Sequence, residues 1–171
     1  MILDKVIDYA NKMYPLQSLI RYNNSQHIND ESVIEHVGFV AKIVMELHNY
    51  YEFDLLRALK MALVHDDTEI YITDIPHNVK KRYPQLRDTI KKCEDIASST
   101  EFGPSHFDLT TDFEDQLTVE SKIVKIADNV SCIQYARNEM DFGHQGYMKE
   151  VYTKSYDRSE EVLKELEEFK R

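Results

Sequence analysis

Apolar side chains recur at helical spacing along most of the chain, and that pattern comes before any chemistry. Ile2, Val6, Tyr9 and Met13 mark a first helix, which Pro15 ends or interrupts. Leu16 to Asp30 contains Asn23, Asn24, Ser25 and Asn29, the composition of turns and loops. Val33, Val37, Val40, Val44 and Leu47 form the stripe of a second helix, with Ser32 as N-cap and Glu35 three residues on completing a capping box. Asp54 caps a third helix. Beyond it, Ile70 to Pro76 alternates and ends at proline, which predicts an irregular turn that brings Asp74 back over the helix end. Pro84 or Gln85 starts a polar-faced helix through Ile90, Cys93, Ile96 and Ala97. Thr100 to Leu117, with Gly103-Pro104, Ser105 and several aspartates, reads as a loop holding at most a short helix. Thr118 to Met140 is a long helix, apolar nearly all round and therefore central to the core. Gly143 and Gly146 bracket a break, and Tyr147 to Lys170 closes the chain as a charged amphipathic helix whose Glu160 to Glu168 run is a solvated face. The expected class is all-α.

The third helix carries the anomaly. At about 100° per residue, Ala58, Leu59 and Ala62 cluster within about 60° of Leu55, and this stripe continues into His65, Asp66 and Glu69. Arg57, Lys60, Asp67 and Thr68 fall on the opposite side, so Asp67 is expected to be solvated. Acids are seldom buried without a partner or a metal. His36 lies on the apolar stripe of the second helix. Alone it would be a satisfied core histidine; with His65 and Asp66 on the next helix, it makes a candidate metal site. Asp128, between Val124 and Cys132 on the long helix, is a second acid at a buried position. Arg21 and Tyr22, where the chain leaves an apolar turn, read from their own segment as a surface arginine and a packing tyrosine.

Composition narrows the field. The chain has 171 residues, 42% of them hydrophobic, with no repeat or linker-like stretch, which fits one domain with a substantial core. Four glycines and four prolines leave little room for tight hairpins. A net charge of −10 argues against a nucleic-acid polymer as partner, but it does not exclude a small phosphorylated ligand held by a metal and one or two cations. No stretch approaches a membrane span or a secretory leader. Cys93 and Cys132 are far apart in sequence, so a reduced, cytoplasmic protein is expected.

His36, the adjacent pair His65-Asp66 and the distal Asp128, placed on three different helices, resemble the pattern of the HD-domain metal-dependent phosphohydrolases. The likeness extends to the branch of 5′-deoxynucleotidases, in which an acid follows the His-Asp pair by three positions and an aspartate precedes Leu/Ile-Pro; here these are Glu69 and Asp74-Ile75-Pro76. That branch carries arginine followed by tryptophan ahead of the first histidine, where this chain has Arg21 and Tyr22. The resemblance covers roughly residues 16 to 140.

It implies an HD helical bundle with His36, His65, Asp66 and Asp128 holding one divalent transition metal, whether Mn, Co, Fe, Ni or Zn. Glu69 would orient or deprotonate water, and Asp74, kept neutral by burial near another carboxylate, would protonate the leaving 5′ oxygen. Arg21 would grip the phosphate and Tyr22 the sugar or base. Lys125 is a weaker phosphate candidate, otherwise a helix-surface lysine. The implied reaction is release of orthophosphate from deoxyribonucleoside 5′-monophosphates. A nucleoside triphosphate or signalling-nucleotide hydrolase and a non-catalytic nucleotide sensor are the alternatives. The related nucleotidases also imply a homodimer, with Tyr50-Tyr51 or Tyr147, Tyr152 and Tyr156 as contact surface.

Overall fold

The computed structural model describes residues 1–75 and 77–169, apart from the side chains of residues 77, 78 and 81. Pro76, expected to end the turn after Asp74, and Lys170, expected to end the last helix, lie outside the described residues. Helix α1 (Ile2–Met13) leads into a 3₁₀ turn (Tyr14–Gln17) that accommodates Pro15 in its first positions, where a missing N–H costs nothing. Helices α2 (Val33–Leu47), α3 (Leu55–Val64), α4 (Glu69–Ile72), α5 (His77–Arg82) and α6 (Pro84–Ala97) follow. A π-turn (Ser98–Phe102) then leads to α7 (Pro104–Asp115), α8 (Val119–Asp141) and α9 (Gly146–Phe169). Among the described residues the one β feature is an isolated antiparallel bridge between Ile20 and Ser32.

The caps read from sequence are in place. Ser32 and Glu35 form a reciprocal capping box, and the Asp54 carboxylate accepts from Arg57 N at 3.0 Å. Thr118 opens α8 with a second reciprocal box through Ser121. Three elements depart from expectation, the first being the one-turn helix α4 at Glu69–Ile72, where an irregular turn from Ile70 was expected. The segment expected to be mostly loop contains the three-turn α7, because Pro104 starts the helix there rather than breaking one. Residues 77–82, unassigned from sequence, form α5.

The main core lies between α2, α3, α8 and α9, where Val40, Val44, Ala58, Met61, Ala62, Ile123, Val124, Ala127, Val162 and Leu166 are buried together. A second cluster joins Tyr22, Tyr135, Ala136 and Met148, and a third joins Leu16, Val33 and Val37. Helix α8 touches the first two clusters along its length, as its all-round apolar pattern requires. Of the tyrosines expected on a contact surface, Tyr50 and Tyr156 are exposed, while Tyr51, Tyr147 and Tyr152 are half-buried.

Candidate metal centre

Helix α3 stops at Val64, and His65 is its C-cap. Residues 66–68 form a turn, and α4 restarts the helix at Glu69. The neighbouring side chains of His65 and Asp66 converge here: His65 Nε2 lies 3.2 Å from Asp66 Oδ2, and His36 Nε2 from α2 lies 3.7 Å from the same oxygen. One ligand atom from each of His36, His65 and Asp66 falls within 4.8 Å of the others. Asp128 reaches the cluster from α8, its Oδ1 lying 3.3 Å from His36 Nε2, while its Oδ2 accepts from Lys125 Nζ at 2.8 Å. Four residues from three parts of the chain thus meet, three of them as a ready ligand set and Asp128 beside them, paired with a lysine.

The donor chemistry fits a metal. Nε2 of His36 and Nε2 of His65 are buried and have no hydrogen-bond partner, an expensive arrangement unless something electrophilic belongs there. The His65 ring is held at Nδ1 by the Ala62 carbonyl at 2.8 Å, which fixes the tautomer that presents the Nε2 lone pair. Burial and the neighbouring Arg21 push the His36 imidazole down to about 4, so it is neutral at pH 7. Burial alone would raise both carboxylates. The His65 ring offsets this for Asp66, and Lys125 with His36 does so for Asp128, so both are held below the usual range.

Around this cluster stand the other expected residues. Glu69 Oε2 is buried without a partner, and its carboxyl is raised well above the ordinary value by burial and then by the charges of Asp66 and Asp74. Asp74 does return to the site, as expected: Thr73 turns the chain at a φ of 69°, rare for a β-branched residue, and Asp74 Oδ2 accepts from Tyr22 N at 3.1 Å. Arg21 is not a surface arginine. Its Nη1 donates to Glu31 Oε2 at 2.7 Å and lies 2.7 Å from His36 Nδ1, and its Nη2 lies 3.4 Å from Cys132 Sγ. Tyr22 is buried, stacked on Tyr135 with centroids 5.1 Å apart. Lys125 is not a free surface lysine either; it is committed to Asp128 and lies over the Phe113 ring.

Asp67 overturns one expectation. It is only 3% exposed, and its Oδ2 lies 3.3 Å from Nε2 of His106 on α7, a histidine that no sequence pattern singles out. The angular extrapolation that placed Asp67 and Thr68 in solvent assumes a continuous helix; once α3 ends, the turn directs both inward, and Thr68 is buried too. His106 Nδ1 in turn bonds Ser98 Oγ at 2.7 Å. Replacing His106 by Phe is expected to lower stability by about 1–3 kcal/mol, because the buried Asp67 carboxyl loses the imidazole that lies 3.3 Å from it; denaturant unfolding measures this. Ser131, whose Oγ lies 2.9 Å from His36 Nδ1, was also missed, although its position three residues after Asp128 puts it on the same face of α8.

A cavity of about 600 Å³ opens beside the cluster, lined by His65, Asp66, Thr68, Glu69 and, from α5 and α6, Lys80 and Lys91. That size suits a nucleotide-sized ligand.

An all-helical scaffold with paired histidines and carboxylates at one end of such a cavity defines a metal-dependent phosphohydrolase of the HD class. The same fold is seen in a cyanophage S-2L HD phosphohydrolase solved with dA and one catalytic Zn²⁺, at a TM-score of 0.66 and 17% identity over 93% of this chain and 94% of that one. A protein of Pyrococcus horikoshii OT3 is nearer, with a TM-score of 0.81 and 26% identity over 95% of each chain. The family model of the YfbR-like 5′-deoxynucleotidases matches residues 8–170, and the chain belongs to that family. A 5′-deoxynucleotidase of Pasteurella multocida is 28% identical over 144 residues, covering 77% of this chain and 74% of the relative. The family match thus reaches into α9, beyond the 16 to 140 expected from the motifs.

Proposed function

We propose that this protein removes orthophosphate from deoxyribonucleoside 5′-monophosphates, with His36, His65, Asp66 and Asp128 holding one divalent transition metal. The observation that carries this reading is the pair of buried, unpartnered imidazole nitrogens facing Asp66, beside a cavity wide enough for a nucleotide. Zinc, as in the cyanophage enzyme, and manganese, cobalt, iron or nickel all suit two imidazoles and two carboxylates. When bound, the ion supplies positive charge to the phosphate and makes a nearby water more acidic.

The protein's own groups do the rest. Glu69 takes the proton of the attacking water; its raised pKa makes it a stronger base once ionised. Asp74, fixed by the Tyr22 amide, hands a proton to the departing 5′ oxygen. Arg21 neutralises the phosphate with its planar fork, and the Tyr22 ring borders the sugar. Arg21 can only donate, so its present contact needs a lone pair on His36 Nδ1. Ligation through His36 Nε2 needs a proton on Nδ1, which Ser131 Oγ can accept. With Nδ1 protonated toward Ser131, His36 would present Nε2 to a metal and Arg21 would no longer be held by the ring, leaving its fork for the substrate. Lys125 serves Asp128 rather than the phosphate.

The test is a product assay on metal-reconstituted protein given dAMP, AMP and dATP in parallel. Orthophosphate from dAMP, with little from AMP, is the expected result. Polyphosphate from dATP with dAMP untouched would replace the reading with a triphosphohydrolase. No helix among the described residues is long and apolar enough to cross a membrane, and the free thiols Cys93 and Cys132 suit a reducing cytoplasm.

A further inference from the structure

The segment between the Ile20–Ser32 bridge partners carries Arg21 and Tyr22, yet most of it is exposed. Its ends are tied together by Arg21 N donating to Glu31 O and Val33 N to Leu19 O, both at 2.9 Å. Its far side is tied to the body of the protein by α8. Glu139 is 0% exposed, and both of its oxygens are used by this loop: Oε2 accepts from Ile28 N at 2.6 Å, and Oε1 accepts from Asn29 N at 2.9 Å and Asn29 Nδ2 at 2.8 Å. One turn earlier on α8, Tyr135 donates its hydroxyl to Asn29 O at 2.7 Å and stacks its ring on Tyr22 with an interplanar angle of 9°. Tyr22 itself sits at a φ of 57°, a left-handed conformation that a non-glycine residue keeps only where its surroundings impose it.

We infer that Glu139 is a positioning residue for substrate binding, holding the 20–32 loop so that Arg21 and Tyr22 stay against the site. A fully buried carboxylate both of whose oxygens accept from amide donors of one loop is a costly device, and what it does is place that loop. The three donors also hold its carboxyl below the usual range against burial, so the contact is charge-assisted. Glu139 stands about 16 Å along α8 from Asp128, too far to act on the metal ligands directly. Its effect therefore falls on substrate affinity rather than on metal binding or chemistry. The substrate part of this inference rests on the proposed roles of Arg21 and Tyr22.

The test is Glu139→Gln, equal in size but turning an amide N–H toward amide donors. The expected result is a roughly tenfold rise in KM for dAMP, with kcat and zinc affinity within about twofold of the native enzyme, and faster amide exchange confined to residues 21–30. Adding Asn29→Asp to that variant supplies an acceptor for the new amide and is expected to recover part of the KM. If Glu139→Gln does not fold, Tyr135→Phe removes the second tie while keeping the ring, and a smaller rise in KM is expected. Unchanged exchange in the loop, or faster exchange with KM unmoved, would overturn the inference. So would a parallel loss of kcat and metal affinity, the mark of a general structural role. Failure of the native enzyme to act on dAMP would remove the substrate reading, while the exchange comparison would still decide whether the clamp exists.

Discussion

Asp66→Asn is expected to lower orthophosphate release by about a thousandfold or more, equivalent to about 4 kcal/mol of transition-state stabilisation, and to lower the bound metal in proportion. Among the described residues, Asp66 is the carboxylate near both imidazoles: its Oδ2 is 3.2 Å from His65 Nε2 and 3.7 Å from His36 Nε2. An amide in its place keeps the shape and removes the charge, so metal content by elemental analysis and activity should fall together. Retained metal with lost activity would move Asp66 from holding the ion to the chemistry itself. Chelation of the native enzyme should reproduce the activity loss and be reversed by adding metal back.

Glu69→Gln should separate those two readouts. Activity is expected to fall by about 10²–10⁴-fold, the range for loss of a general base, with the metal still bound, because Glu69 lies outside the ligand cluster. The same substitution should make the metal-free protein more stable at pH 7. Burial and the charges of Asp66 and Asp74 raise the Glu69 carboxyl well above 4.5 in the folded state. Between its ordinary and its raised pKa the native state keeps a proton that the unfolded chain has released, so stability falls as pH rises through that window. Glutamine does not ionise, and the penalty disappears. A thermal melt of the chelated variant that is no higher than that of the native protein would show that the fold does not disfavour Glu69 ionisation.

Much of this was legible in the sequence because it follows from period and capping. Ser32 and Asp54 announce their helices, and the long apolar stripe of α8 makes Asp128 stand out as an intruder. His36, His65 and Asp66 could be singled out because polar groups on core-facing stripes are costly. What the sequence hid depends on where helices end. Asp67 was placed in solvent by extrapolating a rotation that stops at Val64, and its partner His106 lies in a segment whose glycine, proline and aspartates look like a loop. Glu139 carries no local signal at all: its partners, Ile28 and Asn29, are joined to it only by the tertiary fold.

The end of α3 at Val64 has a consequence for anyone moving this centre to another scaffold. On an unbroken helix, successive side chains turn by about 100°, so Asp67 and Thr68 would face away from the stripe that carries His65 and Asp66, whereas the turn after Val64 buries them. Transplanting the dipeptide into a straight designed helix would therefore lose the buried Asp67–His106 pair that accompanies it here. What must be grafted is the interruption, together with the Ala62 carbonyl that orients the ring and the His106 side chain that faces Asp67 in the turn.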